Sequence, residues 1–237
     1  MEKYLFWGTF FVAYLINGIT GFAGNIFVMP VGMISIGHAE SIVVLNCTGF
    51  LASCLIAFTS IKHCNWKELA KMVVIMAVFM AVGAWINTVA PLSILSKIYG
   101  VAVLVIAIRG LFFNKEERLL PEWLLYAILV IAGLIQGMFV SGGSFLAIYA
   151  LQKLKDKDEF RATTTMAWVF LHGGYALFGV TGGGLEGDGL LVLAVCIPLL
   201  ILSTWLGGLI QKRISQQQFV KFTYVLLTII GCVLLFK

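Results

Sequence analysis

The side chains in this sequence that can do chemistry come in pairs. Asn17 and Gln136, Gly24 and Gly143, Asn25 and Ser144, and Asn46 and Thr165 each stand 119 residues apart. Gly142 follows the same spacing, with Ala23 as its mate. Amides, hydroxyls and backbone N–H groups can all donate hydrogen bonds without carrying a charge. A set of such donors suits a small anion, and these residues are the candidate substrate-binding positions. His172 is the histidine that lies well inside an apolar run. An ionisable group in that setting is a functional suspect, here for proton coupling. No Asp, Glu, Lys or Arg stands at the centre of an apolar segment, so a carboxylate proton relay is not expected.

The pairs belong to a longer duplication. AYLINGITGFAGNIFV (Ala13 to Val28) reappears as AGLIQGMFVSGGSFLA (Ala132 to Ala147), and each copy interrupts apolar sequence with glycines and polar residues. Matching glycine-rich breaks in two halves of a membrane chain point to a transport site. Irregular backbone at membrane depth survives only where protein or a wet cavity surrounds it. A helix that starts after such a break presents unpaired N–H groups and the positive end of its dipole, a setting for an anion. Asn25 and Ser144 read as the N-cap residues of the two helices that follow.

The elements that must hold these residues are apolar helices. The chain has 237 residues, of which 61% are hydrophobic and 11% charged, with a mean hydropathy of +1.02. Soluble domains carry about a quarter charged residues. Ten apolar segments are expected, at roughly 4–20, 24–37, 41–61, 68–88, 94–113, 121–140, 143–153, 160–179, 189–211 and 217–236. The second and seventh reach only ~15–21 Å at 1.5 Å per residue, short of a ~30 Å hydrocarbon core. The N-terminal segment reads as a membrane helix, not a cleaved signal. The fold class is therefore all-α and polytopic, in a single transmembrane domain over 1–237, with repeats of five segments at about 1–116 and 117–237.

An odd number of segments per repeat inverts the second half. The charges agree. Lys62, Lys67 and Lys71 follow segment three, whereas the matching loop after segment eight carries Glu186 and Asp188. With the N- and C-termini outside, 13 of the 16 basic residues fall inside; Lys3, Lys97 and Lys237 stay outside. That is the bias of the positive-inside rule. It also accounts for the net charge of +5 without nucleic acid. The five cysteines show no metal-ligand spacing. GVTGGG (Gly179 to Gly184) lacks the lysine of a phosphate loop. No catalytic residue, metal or cofactor is expected. The partners are a small anionic substrate and the lipid bilayer, with homo-oligomerisation left open.

GITGFAGNIFVMP (Gly18 to Pro30) resembles the GxxGFGGGxxxxP motif of the TauE/SafE family of membrane permeases. GMFVSGGSFLAIY (Gly137 to Tyr149) is similar to its second copy, and the closing glycine-rich helix, basic turn and last apolar helix resemble the family's ending. Asn25 stands where the motif has glycine, and Tyr149 where a second proline is expected. The resemblance implies transport of sulfite, a sulfonate or another small sulfur-containing anion across the bacterial inner membrane. A secondary carrier working by rocking of one repeat against the other is the leading reading. An anion channel with the same site, and a membrane enzyme or assembly factor, are the alternatives. Cysteines placed singly at Lys62 and Lys153 should react with an impermeant maleimide from one and the same face; labelling from opposite faces would overturn the topology.

Overall fold

The computed structural model describes residues 2–89, 104, 108, 120–181 and 188–235, and every regular element among them is helical. The helices are α1 (Glu2–Thr20), α2 (Gly24–Ser35), α3 (His38–Ser60), a short 3-10 turn (Ile61–His63), α4 (Trp66–Val89), α5 (Glu122–Phe139), α6 (Gly143–Lys153), α7 (Lys157–Thr181), α8 (Asp188–Arg213) and α9 (Gln216–Leu235). The expected segment 94–113 lies outside the described residues apart from two positions, and so does most of the Gly182 to Gly189 loop. Among the described residues, four stretches are long and apolar enough to cross a bilayer: Glu40–His63, Trp66–Ile86, Glu122–Phe139 and Gly189–Arg213. The protein is a multi-pass, all-α integral membrane protein.

Both short helices form where the glycine breaks demand them. α1 ends at Thr20 and α5 at Phe139, α2 begins at Gly24 and α6 at Gly143, and α3 begins at His38 and α7 at Lys157; each pair is 119 residues apart. The turns match as well. Gly21 at φ +83° and Val140 at φ +53° occupy the same place in the two copies. Glycine adopts that conformation freely, but a β-branched residue there is strained, as backbone next to functional sites often is.

Contacts between helix ends set the bundle's two faces. The Asn65 amide N–H donates to Thr163 Oγ1 (2.9 Å), and Asn65 Nδ2 to Glu159 Oε1 (2.8 Å). Lys157 Nζ donates to the Gln211 and Ile214 carbonyls, and Lys153 Nζ bonds to Glu122. The start of α4, the end of α6, the start of α7 and the end of α8 therefore share one end of the bundle. Lys62, Lys67, Lys71, Lys153, Lys155, Lys157, Lys212 and Arg213 gather there. Exposed Trp66 and Trp123 open α4 and α5 at this end, and exposed Trp85 lies near the other end of α4, as expected of aromatic residues at the two bilayer interfaces. Tyr149, the departure from the family motif, donates its hydroxyl to Glu68 Oε2 (2.6 Å), and Lys71 holds the other carboxylate oxygen (2.7 Å). Its side chain thus ties α6 to α4.

The helices interlock across the halves. α1 packs along α8, α4 along α5, and α3 along α7. Glycines carry both outer crossings. A Cβ on Gly207 would lie 2.4 Å from the Leu15 carbonyl oxygen, and one on Gly83 would lie 2.1 Å from that of Leu134. Phe22 and Ile26 plug into a core with Phe145, Phe160 and Met166, while Val140 enters the other core beside Phe10, Tyr14 and Leu45. Each break is therefore buried among side chains of the opposite half. Gly83→Val should lower stability by about 1–3 kcal/mol, the usual cost of overpacking. Gly8→Ala, which meets nothing within 4 Å, should leave the melting temperature in detergent unchanged. Equal melting temperatures for both variants would show that the crossing is not close-packed.

Candidate functional site: a cavity between two helix breaks

The two breaks meet at the middle of the bundle. A Cβ on Gly143 would come within 2.6 Å of the Phe22 carbonyl oxygen. Beside that contact lies a small cavity of about 10 Å³, close to the room one water needs. Its walls come from both halves and are again paired: Asn17 with Gln136, Gly49 with Trp168, and Ser53 with His172, along with Tyr14, Phe22, Asn25, Ile26, Val140 and Gly143. Gly49 lies eleven residues into α3 and Trp168 eleven residues into α7. At 1.5 Å per residue each is about 16 Å from the start of its helix.

The capping differs from the sequence expectation. The N-cap positions of α2 and α6 are Ala23 and Gly142, neither with a side-chain cap, and Asn25 and Ser144 lie inside the first turns. The reason is that the preceding helix already supplies the acceptors. Asn17 Oδ1 accepts from the Gly24 N–H (3.4 Å) and Gln136 Oε1 from the Gly142 N–H (3.0 Å). The main-chain carbonyls of the same two residues accept from the N–H groups of Gly21 (2.7 Å) and Val140 (3.0 Å). Asn17 and Gln136 thus close the turns that follow them. A side-chain cap from Asn25 or Ser144 is not needed, and Asn25 turns elsewhere. Its Oδ1 accepts from Tyr14 Oη (2.8 Å) and its Nδ2 donates to the Leu45 carbonyl (3.2 Å).

Two buried donors in the cavity wall have no acceptor. Among the described residues Gln136 Nε2 and Trp168 Nε1 make no hydrogen bond, although the residues are 1% and 3% exposed. An unmade bond of this kind costs about 1–3 kcal/mol, and such groups in a native fold call for an explanation. Among the described residues the lining carries no Asp, Glu, Lys or Arg. His172 stacks against Trp168 with ring centroids 5.0 Å apart. Its Nδ1 faces Asn46 Oδ1 at 2.8 Å, and Asn46 Nδ2 donates to the Ile42 carbonyl (2.8 Å). With Asn46 so oriented, its oxygen accepts and Nδ1 carries the proton. Nε2, which a Cβ on Gly49 would approach to 3.0 Å, is left as the free ring nitrogen on the cavity side.

Of the sequence candidates, Asn17, Asn25, Gln136, Gly143 and His172 line the cavity. Gly24, Gly142 and Ser144 build the turns around it, and Asn46 acts on it through His172. Thr165 stands apart: its Oγ1 is buried without a partner and lies 2.8 Å from where a Cβ on Gly21 would sit. Its neighbours Thr163 and Thr164 are bound to Asn65 and Phe160. Sequence reasoning passes over Trp168, whose mark is that it matches Gly49 across the duplication. It also counts Arg161 only among the basic residues of the inside face, at the start of segment 160–179, whereas the structure buries it in α7, where Nε donates to the Gly18 carbonyl (3.0 Å).

A family model for the sulfite exporter TauE/SafE matches residues 6–234. The chain belongs to that family. TauE/SafE membership implies a membrane transporter for sulfite or a related anion, a small anionic substrate, and a membrane setting. No curated protein and no solved structure matches the chain. Asn46→Leu and His172→Phe, measured singly and together, should show a coupling of about 0.6–1.7 kcal/mol, the span of interhelical hydrogen bonds in membranes. Strict additivity in a thermal-melt cycle would mean that the Asn46–His172 bond does not hold the ring.

Proposed function

We propose that the protein is a secondary carrier for a small sulfur-containing oxyanion, such as sulfite, thiosulfate or a sulfonate. It works by alternating access between two inverted repeats in a bacterial inner membrane, with both termini outside. One observation carries this reading. Two buried N–H donors without acceptors among the described residues, Gln136 Nε2 and Trp168 Nε1, belong to side chains that line a cavity where two broken helices meet.

In this reading the oxyanion accepts from those two donors. Asn17, Asn25 and the first turns of α2 and α6, from Gly24 and from Gly142, Gly143 and Ser144, close around it. Both turns point positive dipole ends at the same volume. Neutral donors recognise oxygen lone pairs while leaving the net charge of the site unchanged, so release remains feasible. At about 10 Å³ the cavity is smaller than a four-atom oxyanion, which suits an occluded state of a carrier better than an open pore. Asn46 sets the His172 tautomer, and Thr165 supports the turn at Gly21. His172 is the group for a coupled proton: an imidazolium there and an anion beside it stabilise one another. Tyr14 is the other ionisable group in the lining.

Sulfite, thiosulfate and methanesulfonate should be tested for thermal stabilisation of the purified protein, since a ligand that binds only the native state raises its melting point. At least one should stabilise it. Gln136→Leu, Trp168→Phe, Asn25→Leu and Ser144→Leu should weaken that binding, by about tenfold or more for the first two. Full shifts in all four variants would place the anion elsewhere. In proteoliposomes the same anion should show saturable counterflow, which a channel lacks. His172→Gln should keep exchange but lose its response to a pH gradient, and an unchanged response would remove His172 from the coupling.

A further inference from the structure

Arg161 has no role in the reading above, and its setting is unusual. The residue is 8% exposed, and its Nε donates to the Gly18 carbonyl at 3.0 Å. That carbonyl belongs to the last turn of α1, where no helical partner remains and the dipole end is negative. The two Nη atoms make no hydrogen bond among the described residues, and the ion pairs found there, Lys71–Glu68 and Lys153–Glu122, do not involve Arg161. A guanidinium this deeply buried, with Asp158 acting on it electrostatically but no ion pair, is expensive. Its Nη2 passes beside Gly208, where a Cβ would lie at 3.4 Å.

Its place in the fold gives the site a direction. Arg161 is four residues into α7, about 6 Å from the end where the basic loops gather. Gly18, which it holds, follows Asn17 of the cavity wall. Arg161 thus stands between the basic face and the cavity, on the tip of the first hairpin. The matching position in the other half is Ile42, also buried. At these two matching positions, one carries a cation and the other an aliphatic side chain.

We infer that Arg161 is a one-sided anion subsite and latch. With the cavity closed, its Nε pins the end of α1 through Gly18. When the path to the basic face opens, the planar fork pairs with two oxygens of the passing oxyanion, a geometry that suits arginine better than lysine, and the hold on Gly18 is released. The opposite approach, with Ile42, has no such stop. The carrier therefore binds its anion more tightly from the face that bears the basic loops. This inference rests on the carrier reading above.

The test is uptake of radiolabelled sulfite, with thiosulfate and methanesulfonate as alternates, into right-side-out and inverted membrane vesicles. Wild type should half-saturate at a lower concentration from the basic face. Arg161→Gln should raise KM from that face about tenfold or more, the loss of a charge-assisted bond, and should leave KM from the other face within about twofold. Arg161→Lys, which keeps the charge without the fork, should fall between and guards against a Gln variant that does not fold. A purely structural clamp would change both faces alike, so an equal change, or none, overturns the inference. Wild-type vesicles that move none of the three anions from either face overturn the carrier reading itself.

Discussion

A helix that stops inside a bilayer leaves N–H and C=O groups with no water to take them up, and protein groups must do so instead. Both breaks meet this requirement in one way. A polar residue three to four positions before the turn, Asn17 or Gln136, accepts one N–H on its main-chain carbonyl and another on its side-chain carbonyl. The amide oxygen is thereby committed to the backbone. The Gln136 amide nitrogen, on a residue that lines the cavity, is left without an acceptor among the described residues. Closing the breaks uses the amide oxygens and leaves a donor over. Arg161 does for a carbonyl at the end of α1 what these amides do for N–H groups.

The duplicated scaffold holds contents that differ. Gly49 corresponds to Trp168, Ser53 to His172, and Ile42 to Arg161 at the 119-residue spacing. In each of these pairs the second half supplies the larger or more reactive side chain. The exchange has a steric reason at Gly49: a Cβ there would meet the His172 ring at 3.0 Å and Asn25 Nδ2 at 3.2 Å. One half makes room and the other fills it. The lining that results is built from two matching breaks but offers chemically distinct walls.

Helix boundaries were legible in the sequence because they depend on local composition. The short α6 falls where the segment 143–153 was expected, and α2 starts at its expected residue. The places of the breaks were legible for the same reason, since glycine clusters in apolar sequence have few other uses. Side-chain partners were not. Asn25 and Ser144 have the composition of N-caps, but the acceptor arrives from six or seven residues upstream, through a turn whose shape the sequence does not display. Asn46 and Thr165 are equivalent by spacing, yet one reaches His172 on another helix and the other lies under Gly21. Trp168 reads as one more aromatic residue in a membrane segment until the helix facing it is known. Arg161 reads as one more basic charge at a segment end because its burial depends on α1 and α8 arriving from far along the chain.

The glycine crossings have a mechanical consequence. α1 lies backbone against backbone on α8, and α5 does so on α4. Each of those contacts joins helices from different halves of the duplication. Where main chains touch, no flexible side chain is available to absorb displacement, so the two members of each pair are the parts of the molecule least able to slide independently. α1 with α8 and α4 with α5 are therefore the pairs that travel together in any change of the bundle's shape.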